Sequence, residues 1–134
     1  MTVLRSERRE VRSSEDVVGV RQVVREAAVA AGFSLVDQTK LVTAASELAR
    51  NMVIYGGGGA LHLATLNDGA KRGVRLTFED QGPGIADVDQ ALRDGFTTGN
   101  GLGLGLGGAR RLVNDFEIHT RPGEGTRVTV TRWK

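Results

Sequence analysis

Cysteine is absent from this 134-residue chain, which excludes disulfides, thiolate metal centres and cysteine nucleophiles. An excess of one charge is lacking too: 18 lysines and arginines are interspersed with 16 acidic residues for a formal charge of +2. Nothing in that balance implies nucleic acid as a partner. Long apolar runs are missing as well. "AAVAAGF" falls far short of the roughly 20 residues a membrane span needs, and "MTVLRSERREVR" carries charge too early and too evenly for a secretory signal. No membrane partner and a cytoplasmic location are therefore expected. The remaining composition, 40% apolar and 25% charged, describes a globular chain, expected to form one domain over residues 1–134.

Periodicity supplies the elements. Residues 3 to 12 suit an edge strand, with Val3, Leu4 and Val11 as their apolar positions. "SSEDVVGVRQVVREAAVAAGF" reads as a helix capped by Ser13 with Asp16 three residues on, and Gly32 ends its stripe. A second helix starts at Ser34, runs along Leu41, Ala45, Leu48 and Met52, and stops at "YGGGG". "ALHLATL" and "GVRLTFED" alternate about a turn and predict an antiparallel hairpin. From Gly82 to Gly101 no period is sustained; a long functional loop with one short helix around "DVDQALRDG" is expected. "LGGARRLVNDF" predicts a helix, and "FEIHT" and "TRVTVTRW" predict strands joined by the turn "RPGEGT". Grouped helices and strands point to an α+β, two-layer sandwich. Three helices are expected on one face of a mixed, mostly antiparallel sheet, leaving the other face wet or covered by a partner.

The stretch "GNGLGLGLGGARRL", residues 99–112, places glycine at nearly every second position. Gly103, Gly105 and Gly108 satisfy G-x-G-x-x-G, but "RDGFTTGN" before them is a loop and not the buried strand that a dinucleotide site requires. No P-loop lysine motif and no H-R-D or D-F-G element occurs. The physical content of the repeat remains. Bare glycines let several N–H groups approach one anion, while intervening leucines anchor the segment to a core. A flexible linker would favour serine over leucine.

Two further segments accompany it. In "ASELARNMVIYG", Glu47 and Asn51 stand four apart on the second helix, sharing a face roughly 6 Å apart along the axis and beside its apolar stripe. A carboxylate and a carboxamide in that arrangement suit a proton acceptor and an oxygen ligand for a hard cation. Alone, the pair reads better as a solvated face. In "FEDQGPGI", Asp80 ends a strand before Gly82, Pro83 and Gly84. There an aspartate can accept from an exocyclic amine beside glycines that admit a planar ring, although the same residues also make an ordinary turn.

Together these segments resemble the nucleotide-binding core of the GHKL ATPase superfamily. "ELARN" is similar to its N box, "DQGPG" to its G1 box, "GLGLGL" to its G2 box and "GEGT" to its last glycine and threonine element, in the family's order over residues 34 to 130. "TAASELARN", "DGFTTGNGLGLGL" and the terminal "RW" most resemble the short serine/threonine kinases of bacterial stress and sporulation switches. The resemblance implies the Bergerat ATP-binding fold, with ATP and Mg²⁺ as cofactors. It places the adenine against Asp80, with Gly82, Gly84 and Ile85 beside it and Thr126 nearby, and Mg²⁺ on Asn51. The phosphates are wrapped by Gly101, Leu102, Gly103, Leu104, Gly105 and Leu106 in an ATP lid. Glu47 is implied as the base for an acceptor hydroxyl. A STAS-domain protein is implied as substrate in stressosome-type partner switching, with activation of a PP2C-type phosphatase once the kinase is released.

An anti-sigma factor of the same fold, sequestering a sigma subunit, is the alternative. Such relatives often carry a basic residue just before the G2 glycines, where Asn100 stands. A regulator that binds ATP without catalysis is disfavoured by the presence of both Glu47 and Asn51. His62 and His119 are expected to be structural, Arg110 and Arg111 solvated, and Trp133 packed against a helix. Arg50 is open to phosphate, to the acceptor protein or to neither.

Overall fold

Ser13 opens the first helix as expected. Its hydroxyl accepts from the Asp16 N–H at 3.3 Å, and the Asp16 carboxylate accepts from the N–H groups of Arg12 and Ser13 at 2.8 and 3.2 Å. This capping box satisfies donors that a helix start leaves unpaired, and α1 runs Ser14–Ala30. Ser34 caps α2, Leu35–Gly56, through its hydroxyl alone, which accepts from the Asp37 N–H at 3.2 Å. Gly57 ends α2 in the left-handed region at φ +74, a conformation costly for any residue with a Cβ. The computed structural model describes residues 1–92 and 105–134.

Five strands follow the predicted segments: β1 Thr2–Val11, β2 Gly59–Asn67, β3 Arg72–Asp80, β4 Asp115–Thr120 and β5 Thr126–Trp133. They lie in the order β1-β2-β3-β5-β4, and every pairing among them is antiparallel. β1 is an edge strand, as its sparse apolar pattern predicts. It carries arginines and glutamates along its length and a register shift between Val3 and Arg5, both devices that discourage edge-to-edge pairing.

The helical layer covers one sheet face. Val20, Val24 and Ala28 of α1 and Leu41, Ala45 and Leu48 of α2 are buried with Leu61, Leu63, Leu76 and Val130 of the sheet. Each such leucine or valine contributes about 1.5–3 kcal/mol by leaving water. Alternate residues, among them His62, Thr77 and Thr129, point to the opposite face, where the Thr77 and Thr129 hydroxyls meet at 3.3 Å.

Two expectations need correction. The helix predicted over 106–116 is shorter: α4 spans Gly105–Arg111, and β4 already begins at Asp115. Tertiary bonds take over the connection, because Arg132 Nη1 donates to the Leu112 carbonyl at 2.8 Å and the Asn114 N–H donates to the Thr131 carbonyl at 3.0 Å. Trp133 lies on the face away from the helices. A Cβ on Gly73 would fall 2.6 Å from the Trp133 ring, whose Nε1 donates to Asp115 at 3.3 Å and whose face is covered by Lys71 Nζ at 5.9 Å. The short helix α3, Val88–Ala91, sits within the predicted "DVDQALRDG" segment and is capped by Asp87.

Candidate functional site

Asp80 ends β3 with only 8% of its surface exposed. One carboxylate oxygen, Oδ1, accepts from the Gly82 N–H at 2.9 Å. This local turn leaves Oδ2 without a hydrogen-bond partner among the described residues. The end of α2 packs directly against this group. A Cβ on Gly56 would come 2.5 Å from Asp80 Oδ2, and one on Gly82 would come 2.6 Å from Gly56 Cα. Gly84, at φ +76, packs against the Arg121 carbonyl, where a side chain has no room. The bare faces of Gly82 and Gly84 are thus filled by the protein's own backbone, and these glycines let two segments meet at Asp80 before any ligand is considered.

The candidate side chains of α2 lie further back along the same helix. Asn51 lies five residues and Glu47 nine residues before Gly56, so they stand about 7.5 Å and about 13.5 Å back along the helix axis from the Asp80 contact. Both are partly exposed on one side of a helix whose other side is core. Glu47 is not alone there: its Oε2 pairs with Arg50 Nη2 at 3.2 Å, with the Glu47 side chain 14% and the Arg50 side chain 40% exposed. A glutamate followed three residues later by arginine is a familiar helix pair, so this contact was available to sequence reasoning.

Across the sheet, Thr126 opens β5 in register with Asp80, which puts the two side chains on one face about 5 Å apart at Cβ. Thr120, at the end of β4, was not anticipated. Its hydroxyl accepts from the Ile85 N–H at 2.8 Å, donates to the Gly125 carbonyl at 3.2 Å and lies 2.9 Å from the Thr126 hydroxyl. One side chain therefore ties the loop carrying Ile85 to the turn carrying Gly125 and Thr126. These contacts join positions as far as 35 residues apart, beyond the reach of any local motif. Asp80, Thr120, Gly125 and Thr126 border an open depression of about 370 Å³ that also reaches Glu79, His119 and Arg127, which alternate with core-facing residues and so belong to the opposite sheet face; no residue of α2 lines it.

Gly105 begins α4 and is buried, and Leu106 is 8% exposed and part of the core, so at that position the leucine anchors the glycine-rich segment as expected. Asn100, Gly101, Leu102, Gly103 and Leu104 lie outside the described residues. Among the described residues no three histidines, cysteines or carboxylates converge on a cation site, so a metal here would rest on Asn51 together with ligand oxygens. His62 is exposed, and His119 lies 3.8 Å from Glu117 at the surface.

The sequence profile described as histidine kinase-, DNA gyrase B-, and HSP90-like ATPase matches residues 36–134. The chain belongs to that ATPase family. Within it, the chain is similar to the serine/threonine-protein kinase RsbT of Bacillus subtilis (strain 168), at 43% identity over 118 residues that cover 88% of this chain and 89% of that one. It is also 28% identical to an anti-sigma F factor of Thermoanaerobacter sp. (strain X514), over 84% of this chain and 82% of the relative. A solved structure of the RsbU and RsbW domains of a Mycobacterium tuberculosis protein shares the fold. It has a TM-score of 0.68 at 23% identity, covering 97% of this chain and 33% of that one.

Proposed function

We propose that this chain, a serine/threonine protein kinase of the RsbT-like branch, binds the adenine of ATP at Asp80 and Thr126 and transfers the terminal phosphoryl group near Glu47. The observation that carries this reading is the linear order along α2. The corner rich in hydrogen-bond acceptors lies at Gly56, the carboxamide about one and a half turns back, and the carboxylate about a turn beyond that. Base, metal-bound phosphates and acceptor hydroxyl follow one another in the same sequence along an extended nucleotide.

Phosphoryl transfer depends mainly on positioning and charge neutralisation. Asn51 would hold Mg²⁺ through its amide oxygen, and the ion would offset charge on the phosphates. A single protein ligand suits this ion, which commonly keeps water and phosphate oxygens for its remaining positions. Glu47 takes the proton of the acceptor hydroxyl, using the oxygen that Arg50 leaves free. The glycine-rich residues 101–106 supply backbone N–H groups to the phosphates. The acceptor belongs to a STAS-domain protein, and release from that partner frees the kinase to activate a PP2C-type phosphatase.

Replacing Glu47 with alanine tests the assignment. ATP affinity, measured by calorimetry, stays within about twofold, while transfer of labelled phosphate to a STAS-domain substrate falls about a hundredfold or more. Undiminished transfer removes Glu47 from the role of base. The likeness to anti-sigma F factors supports a second reading, capture of a sigma subunit. Recovery of a sigma subunit and no STAS-domain protein in a pull-down would favour that reading over the first.

A further inference from the structure

We infer that Thr120 is a positioning residue that sets the base specificity of the nucleotide site by fixing the direction of the Thr126 hydroxyl, an inference that rests on the adenine reading above. A threonine hydroxyl has one proton to donate and two lone pairs to accept with. At Thr120 all three are committed. The Gly125 carbonyl, 3.2 Å away, can only accept, so the Thr120 proton goes there. One lone pair takes the Ile85 N–H at 2.8 Å. We assign the remaining contact, 2.9 Å to Thr126 Oγ1, as a donation from Thr126, the one direction in which all three hydrogen bonds of Thr120 are made at once.

The consequence falls on the ligand side of Thr126. With its proton spent on Thr120, the Thr126 hydroxyl presents only lone pairs to the cleft. Asp80 stands opposite it in the sheet with Oδ1 taken by the Gly82 N–H and Oδ2 also an acceptor. The corner is thus populated by acceptors alone. An exocyclic amine, with two N–H groups on one nitrogen, satisfies such a corner. A purine bearing a 6-oxo group in the same place brings lone pairs against lone pairs, and discrimination by repulsion follows. Asp80 alone sets part of this preference. Thr120 supplies the rest by denying Thr126 the freedom to turn its proton toward a carbonyl.

ATP and ITP differ at this position of the base and form the probe pair. Dissociation constants for both, measured by calorimetry on the full chain, give a preference ratio for wild type and for Thr120→Val, which keeps the shape and removes the hydroxyl. The expected result is a fall in the ATP-over-ITP ratio of about fivefold, the worth of one neutral hydrogen bond, with recovery in Thr120→Ser. Equal weakening of both nucleotides marks a merely structural hydroxyl and overturns the inference, as does an unchanged ratio or a failure of serine to restore it. If Thr120→Val does not fold, Thr120→Ala replaces it in the comparison with Thr120→Ser; Thr126→Val tests the acceptor hydroxyl on which the inference depends, and an unchanged ratio there is equally fatal. Asp80→Asn separates the two layers of the reading. If it leaves ATP affinity unchanged, the adenine assignment itself fails; if it weakens ATP while Thr120→Val leaves the ratio intact, only the role of Thr120 is lost.

Discussion

Asp80 has one oxygen occupied by the Gly82 N–H and the other without a hydrogen-bond partner among the described residues. Replacing it with asparagine keeps an oxygen for Gly82 and turns the other atom into an N–H donor. Facing an exocyclic amine, that donor meets another donor. The apo protein should therefore melt close to wild type, while ATP affinity drops by about 1.5–3 kcal/mol, the range for a hydrogen bond to a charged group. Calorimetric titration with ATP checks this, and equal affinities would contradict the contact. Glu47 and Asn51 were legible as candidates from their spacing on one helix and Asp80 from its place at a strand end, whereas Thr126 was reached through the family resemblance alone. Thr120 was not legible, since its role arises from bonds to Ile85 and Thr126 made only after two distant segments meet. The glycines at 56 and 82 were legible as turn residues, but the close approach they permit between the end of α2 and Asp80 is a property of the packed structure.

Local chemistry decides most of the elements. α1 and α2 begin at the serines their capping patterns single out, and both stop near glycine. Replacing Ser13 with alanine removes the acceptor for the Asp16 N–H and leaves the Asp16 carboxylate to hold the box from one side. The expected cost is about 1 kcal/mol, seen as a fall in Tm of roughly 3–5 °C in a chain of this size; nucleotide affinity should not change, because the cap lies outside the site. A melting temperature equal to wild type would mean that Asp16 suffices alone. α4 shows where local reading ends. Residues 112–116 continue a plausible helical pattern, yet the Leu112 carbonyl is claimed by Arg132 and the Asn114 N–H by the Thr131 carbonyl. Such competition from the last strand leaves no mark in a short window of sequence.

On the scale of the molecule, the order of strands places β5 between β3 and β4, and this brings Arg132 under the helical layer. Its guanidinium donates to Asp37 Oδ1 in the first turn of α2 at 2.7 Å and to the Leu112 carbonyl after α4 at 2.8 Å. One side chain thus joins the sheet, the start of the helix that carries Glu47 and the end of the helix that follows the glycine-rich segment. The hydrogen bond from Arg132, opposed in part by desolvation and aided by its charge, holds the Asp37 carboxyl below the usual carboxylate range. A carboxyl depressed in the folded state contributes its full stabilisation above its unfolded pKa of about 4 and loses it as pH falls through the lower folded value. Asp37→Asn should therefore lower Tm at about pH 7, and the gap to wild type should narrow progressively as pH drops below roughly 4. Thermal melts across that range test it. A gap that stays constant into strong acid would mean that Asp37 acts through its shape and its cap contacts, leaving Arg132 to hold α4 by the Leu112 carbonyl alone.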